Sequence, residues 1–163
     1  MLESLTIVEF SKLLGHIYDG HIEEDPYSSF LRNVREILSL NFASMTLREP
    51  IGDDGGLLFI SCDILEKTLI DDHENPYTDR YYTSDLMYKL PWGKAVTLDE
   101  CISYKSLESS DLYTMCMAPI NIYHMMGLDL RNANGQRFTV DSAAQSPLTT
   151  STNQKKHLWL KLV

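Results

Sequence analysis

The hydrophobic period changes once, near Asn41, and that change restricts the folds open to this chain more than any other feature. Before it, Phe10, Leu13, Leu14 and Ile17 fall at i, i+3, i+4 and i+7, which predicts an amphipathic helix over 6–18. Thr6 and Glu9 form a capping-box pattern at its start. A second helix is expected from Asp25-Pro26, with Asp25 as N-cap and proline in the first helical position, burying Tyr27, Phe30, Leu31, Val34 and Leu38. After Asn41, Ala43, Met45 and Leu47 alternate with Ser44, Thr46 and Arg48, the pattern of a half-buried strand. Two helices followed by a sheet make a mixed fold.

The remaining pattern fills in that sheet. The turn-rich stretch 50–56 and the apolar run Leu57 to Ile60 predict a hairpin over about Phe42 to Cys62. A short helix is expected from Ile64 to Ile70, then a polar stretch, 71–76. Tyr77 to Tyr88 is aromatic at mixed spacing, and the turn Pro91-Trp92-Gly93 leads into a strand from Lys94 to Leu98. Glu108 to Met117 reads as a helix ending before Pro119. Ile120 to Arg131 alternates again, with Ile122, His124, Met126, Leu128 and Leu130 on one face. Asn134-Gly135 signals a hairpin into a last strand, Gln136 to Asp141. Ser151 and Gln154 form another capping-box pattern, opening a helix with Leu158 and Leu162 on one side. The order predicts an α+β domain, a five-stranded antiparallel sheet flanked by helices as in PAS- and GAF-like sensors. Its expected extent is 1–148, with 149–163 beginning a linker helix.

Charge limits what such a domain touches. With 23 acidic against 14 basic residues the formal net charge is −9, so no broad face of it neutralises a phosphate backbone. Any action on DNA would run through another segment. Cys62, Cys101 and Cys116 are odd in number and in no Cys-x-x-Cys spacing, which suggests neither a disulfide framework nor a zinc site and fits a reducing compartment. No stretch approaches the roughly 18 apolar residues that a membrane helix needs, and the N-terminus lacks a basic start followed by an apolar run. A cytoplasmic protein without membrane contact is the expectation.

Common catalytic spacings are absent: there is no Gly-x-Ser-x-Gly elbow, phosphate-binding Gly-x-x-x-x-Gly-Lys loop, Gly-x-Gly-x-x-Gly fingerprint or His-Glu-x-x-His pair. His16, Asp19 and His21 straddle a helix end and do not make a convergent metal set. Asp71, Asp72, His73 and Glu74 are adjacent and read as a solvated loop, so neither metal nor cofactor is expected. Cys116 with His124 would suit a thiol nucleophile and base, against the commoner reading of Cys116 as a small buried hydrophobe. His124, on a strand, reads first as a hydrogen-bonded core histidine. The tyrosines and tryptophan from Tyr77 to Trp92, with Tyr104 and Tyr113, suit packing or a pocket wall, because large rings with a polar tip serve both.

Several segments together resemble the N-terminal sensing regions of LuxR-type helix-turn-helix transcription regulators. They are Ile17-Tyr18-Asp19-Gly20, Asp25 to Leu31, Tyr81-Tyr82-Thr83-Ser84-Asp85, Leu90 to Val96, Ser109 to Tyr113, Tyr123 to Leu128, Ser146-Pro147-Leu148-Thr149 and Leu158 to Leu162. The chain departs from that group at Asp85-Leu86, where Asp-Pro is frequent, and the spacing from Tyr81 and Asp85 to Trp92 does not reproduce the acyl-homoserine-lactone receptors. The resemblance implies a non-enzymatic regulatory domain that senses a small molecule or protein signal, forms a homodimer and relays to a DNA-binding domain outside these residues. Tyr81, Asp85, Trp92, Tyr113 and His124 would then line the pocket. Two other readings stay open, a dimerisation module without small ligand and a thiol-dependent enzyme using Cys116.

Overall fold

The computed structural model describes residues 6–48, 56–63, 69–70 and 81–144. Helix α1 spans Ile7–Asp19, and the predicted capping box is formed: the Thr6 hydroxyl accepts from the Glu9 N–H while the Glu9 carboxylate accepts from the Thr6 N–H. Helix α2 spans Ser28–Leu38 and starts later than its sequence suggests. Asp25-Pro26 lies in the turn before it, and Tyr27, at φ 60, occupies the N-cap position without a side-chain cap. The capping comes instead from Glu23, whose carboxylate accepts from the Ser29 N–H and the Ser28 hydroxyl, both at 3.1 Å. A carboxylate at that end also meets the positive end of the helix dipole.

The strands are β1 (Phe42–Arg48), β2 (Leu57–Cys62), β3 (Leu69–Ile70), β4 (Ala95–Thr97), β5 (His124–Arg131) and β6 (Arg137–Ala144). They form one six-stranded sheet in the order β3-β2-β1-β6-β5-β4. All pairings are antiparallel. Five of these are the strands read from the pattern. The sixth corrects it, because Leu69–Ile70 pairs with Phe59 and Leu58 rather than ending a helix. The edge strands β3 and β4 are the shortest, which limits the open backbone the sheet presents to other chains. Residues 64–68, the polar stretch 71–76, the 49–55 connection and the terminal helix expected after Ser151 lie outside the described residues.

One face of the sheet is covered as the sequence implies. Leu13 of α1 and Phe30, Leu31, Val34 and Leu38 of α2 bury against Ala43, Met45, Phe59, Met126 and Val140. The half-buried pattern of β1 understates its other face, where Ser44, Thr46 and Arg48 are buried along with Thr139 and Asp141 of β6. The cover is the connection between β3 and β5. It includes 3₁₀ turns at Tyr81–Ser84 and Leu86–Lys89, helix α3 (Leu98–Cys101), helix α4 (Tyr104–Glu108) and a π turn, Tyr113–Met117, that runs into a 3₁₀ turn through Pro119. The single helix expected over 108–117 is thus two pieces. It breaks at Ser109 and Ser110, where the Ser110 hydroxyl donates to the Leu107 carbonyl and accepts from the Tyr113 N–H.

Strand β6 also runs further than its polar composition suggests, to Ala144, because both neighbours pair with it along its length. The hairpin before it is built on Asn132, whose side-chain oxygen accepts from the N–H groups of Asn134 and Gln136 at 3.0 Å. Gly135 takes φ 82, a value that glycine adopts without Cβ strain.

Candidate ligand-binding site

The irregular cover leaves a recess of about 280 Å³ between the 81–89 turns, helices α3 and α4, the π turn and Met125 of β5. Tyr81, Ser84, Asp85, Ser110 and Asp111 bring polar groups to it, and Leu98, Leu107, Leu112 and Met117 supply apolar wall. Asp85 has a local duty as well: its Oδ1 accepts from the Met87 N–H at 2.8 Å, capping the turn at Leu86–Lys89. Apolar walls with a few convergent polar groups are the usual build of a small-molecule site.

The sheet face that carries Met125 also holds charge out of water. Asp129 is fully buried and pairs with Arg137 at 2.6 Å. The Arg137 guanidinium also donates to the Tyr88 carbonyl at 2.7 Å, and the Arg48 guanidinium lies 4.3 Å from the centre of the Tyr88 ring. Asp141, on the same face, is buried as well. Burial, reinforced by the negative charge of Asp85, pushes its carboxyl well above the ordinary carboxylate range, although Arg48 pulls the other way. Its Oδ1 has no hydrogen-bond partner among the described residues. Room for that carboxyl comes from the opposed residue, Gly127, where a Cβ would stand 2.3 Å from Asp141 Oδ1 and 2.8 Å from Leu90.

Of the five residues singled out in the sequence, the structure brings Tyr81 and Asp85 to this recess. Trp92 is 68% exposed, bridging to Asp129 through backbone beside Gly93, whose N–H donates to the Asp129 carbonyl at 2.8 Å. Tyr113 and His124 belong to a separate aromatic cluster. There the Tyr104 and Tyr123 rings stack at 4.9 Å, Tyr113 meets Tyr123 edge-on at 6.1 Å, and the Tyr104 hydroxyl is bonded to His124 Nδ1. Tyr123 donates to Glu108 at 2.5 Å, a bond that pushes its own pKa up to about 12. His124 alternates with Met125 and Gly127, so it points away from the sheet face that carries Asp141. Burial holds its imidazole below the ordinary value.

The charged residues Arg48, Asp129, Arg137 and Asp141 were not singled out from sequence. One signal was available: Asp129 lies between Leu128 and Leu130 on a strand that alternates. Cys116 does not meet the demands of a nucleophile. Burial, with Asp85 nearby, pushes its thiol up to about 11, and neither His124 nitrogen bonds it, Nδ1 being taken by Tyr104 and Nε2 having no partner among the described residues. Among the described residues no group of three His, Cys, Asp or Glu side chains could hold a metal ion. No helix among them is long and apolar enough to cross a membrane.

No protein-family model matches the chain, and no curated protein does. Solved structures do match. The ligand-binding domain of VqsR from Pseudomonas aeruginosa aligns with a TM-score of 0.63 at 10% identity, over 95% of this chain and 92% of that one. CepR2 from Burkholderia cenocepacia, an N-acylhomoserine lactone dependent LuxR family transcription factor, aligns with a TM-score of 0.58 at 12% identity, over 96% and 92%. The phycocyanobilin-bound GAF domain of a cyanobacterial phytochrome aligns with a TM-score of 0.53 at 8% identity, over 98% and 92%. At these identities the likeness is one of fold. The chain has the α+β architecture common to LuxR-family ligand-binding domains and GAF domains, as its element order predicts.

Proposed function

We propose, from that shared fold, that the chain is a sensing domain of a LuxR-type regulator that takes a small ligand under the irregular cover of its sheet. The observation that carries this reading is the recess itself, with Tyr81 and Asp85 on its wall beside the apolar Leu98, Leu107 and Met117. In the proposal Tyr81 supplies ring contact and Asp85 orients a polar head. Trp92, Tyr113 and His124 enter it only for a ligand that extends past the recess.

The output is proposed to be a helix-turn-helix DNA-binding domain joined through the segment 149–163, in a cytoplasmic homodimer. Ligand would act by population shift, stabilising one arrangement of cover and terminal segment over another. The acidity of the chain supports a division of labour, since DNA contact must come from elsewhere. A second reading, a dimerisation module without small ligand, is favoured by the exposed Ile7, Val8, Tyr18 and Ile22 on and just after α1.

Native mass spectrometry beside a denaturing run separates the two. An extra mass on the folded protein, reduced about tenfold in occupancy by Asp85→Asn, supports the sensing site, because one lost charge-assisted hydrogen bond is worth about a factor of ten. Asn keeps the turn cap, so the variant tests ligand contact rather than folding. A dimer with no added mass, in extract-exposed as well as purified protein, favours the second reading.

A further inference from the structure

At one end of the sheet, Arg48 of β1, Arg137 of β6 and Arg131 of β5 stand directly opposite one another in register. Like charges in opposed cross-strand positions repel, so a row of three needs an answer. Asp129 answers one charge, through Arg137. The Tyr88 ring and the Thr139 hydroxyl engage Arg48. Arg131 is exposed at the rim.

One residue inward on each strand the row is apolar: Leu47, Phe138 and Leu130 are also opposed in register. By alternation this second row faces the other side of the sheet. A recess of about 560 Å³ is lined by both rows together with Leu57, so it runs across the strand ends, cationic towards one side and apolar towards the other. The volume lies within the usual range for small-molecule sites, roughly 300–1,000 Å³. In a chain of net charge −9, such a concentration of guanidinium groups beside hydrocarbon is a local reversal of character.

We propose that this recess is a second binding site, distinct from the one beside Asp85, and that it takes an amphipathic anion: a carboxylate or phosphate head on the arginine row and a hydrocarbon tail along Leu47, Leu57 and Phe138. Guanidinium groups suit such heads because their planar forks donate two parallel bonds to one anionic group. The site is independent of the proposed sensing recess and would stand if that one proved empty.

The test is NMR of the ¹⁵N-labelled chain titrated with decanoate, decyl phosphate and decanol. Both anions are expected to shift the amides of Leu57, Arg131, Asn132 and Gln136, with decanol at least about tenfold weaker, the worth of one charge-assisted bond. Arg131→Gln should weaken the anions about tenfold and Arg131→Lys less, since lysine keeps the charge without the fork. Arg131 is exposed at a strand end, so both variants should fold, and unchanged amides elsewhere check it. Tighter decyl phosphate points to a phosphorylated lipid as the natural source, and tighter decanoate to a fatty acid. Silence at these four amides, equal affinity for decanol, indifference to Arg131→Gln, or shifts centred on Tyr81, Asp85 and Met125 instead would overturn the proposal.

Discussion

The two faces of the sheet are packed by different rules. On one, two regular helices cover side chains that are nearly all apolar, and the contact is a stripe against a flat surface. On the other, 3₁₀ turns, two short helices and a π turn cover a surface that mixes Phe42, Leu58 and Ile60 with Ser44, Thr46, Arg48, Thr139 and Asp141. The helices lie along one continuous apolar stripe, whereas the irregular cover leaves the recess beside Asp85. The first face is therefore suited to holding the fold, and the second is the one that carries the proposed ligand site.

The sharpest way to break this contrast is to cut a ring from the regular face. Phe30, 1% exposed, is expected to cost about 3–5 kcal/mol when replaced by Ala, read by urea denaturation. A loss below about 1 kcal/mol would mean that the irregular face, not the helices, holds the domain. On the other face the effect should be smaller. Gly127→Ala forces a Cβ against Asp141 and Leu90, and overpacking of this kind costs about 1–3 kcal/mol. Adding Asp141→Ala should recover part of that loss, and additive effects would show that the two residues are not coupled.

The smallest effect sharpens the contrast through pH. Burial holds the Asp141 carboxyl well above its ordinary value of 3.8, so the folded state keeps a proton that the unfolded chain releases. Its contribution is present at low pH and lost as pH rises through the folded pKa. Asp141→Asn removes the titration, and thermal melts between pH 5 and 8 should show a gain of about 2–4 °C that grows towards the alkaline end, about what 1 kcal/mol gives at this length. His124 has the opposite sign: its pKa is lowered from 6.5, so its contribution is lost as pH falls, and the acid side of the profile should survive the substitution.

The regular face was legible because period carries it. Leu13, Phe30, Leu31 and Val34 announce their burial by spacing, and Thr6 with Glu9 fixes the start of α1. The start of α2 was misread because Asp25-Pro26 has the local chemistry of a cap, while the residue that caps, Glu23, reaches it from outside that pattern. The irregular face was legible only in fragments. Thr97 and Glu100 form a capping box that could have announced α3, as Ser103 could α4. Turns of three to five residues leave no sustained period, however, and the burial of Thr139 and Asp141 depends on a cover contributed by residues far along the chain. Of the proposed pocket residues, Tyr81 opens one 3₁₀ turn and Asp85 caps the next, so sequence proximity kept them together. Tyr113 and His124 were grouped with them by residue type, and type does not say which side of a strand a ring occupies.

The pairing of β1 with β6 sets a timetable for synthesis. Phe42 must wait for Ala143 before one of its two edges is closed. At about 5–20 residues per second, the strand stands open for roughly 5–20 s after it has been made. During that interval α1, α2 and the β1–β2 hairpin can assemble, but they offer the cell a hydrophobic ribbon with a bare margin. The last of the described strands to be translated is the one that seals the middle of the sheet, so a chain cut short anywhere before residue 137 would have its centre, rather than its rim, unfinished.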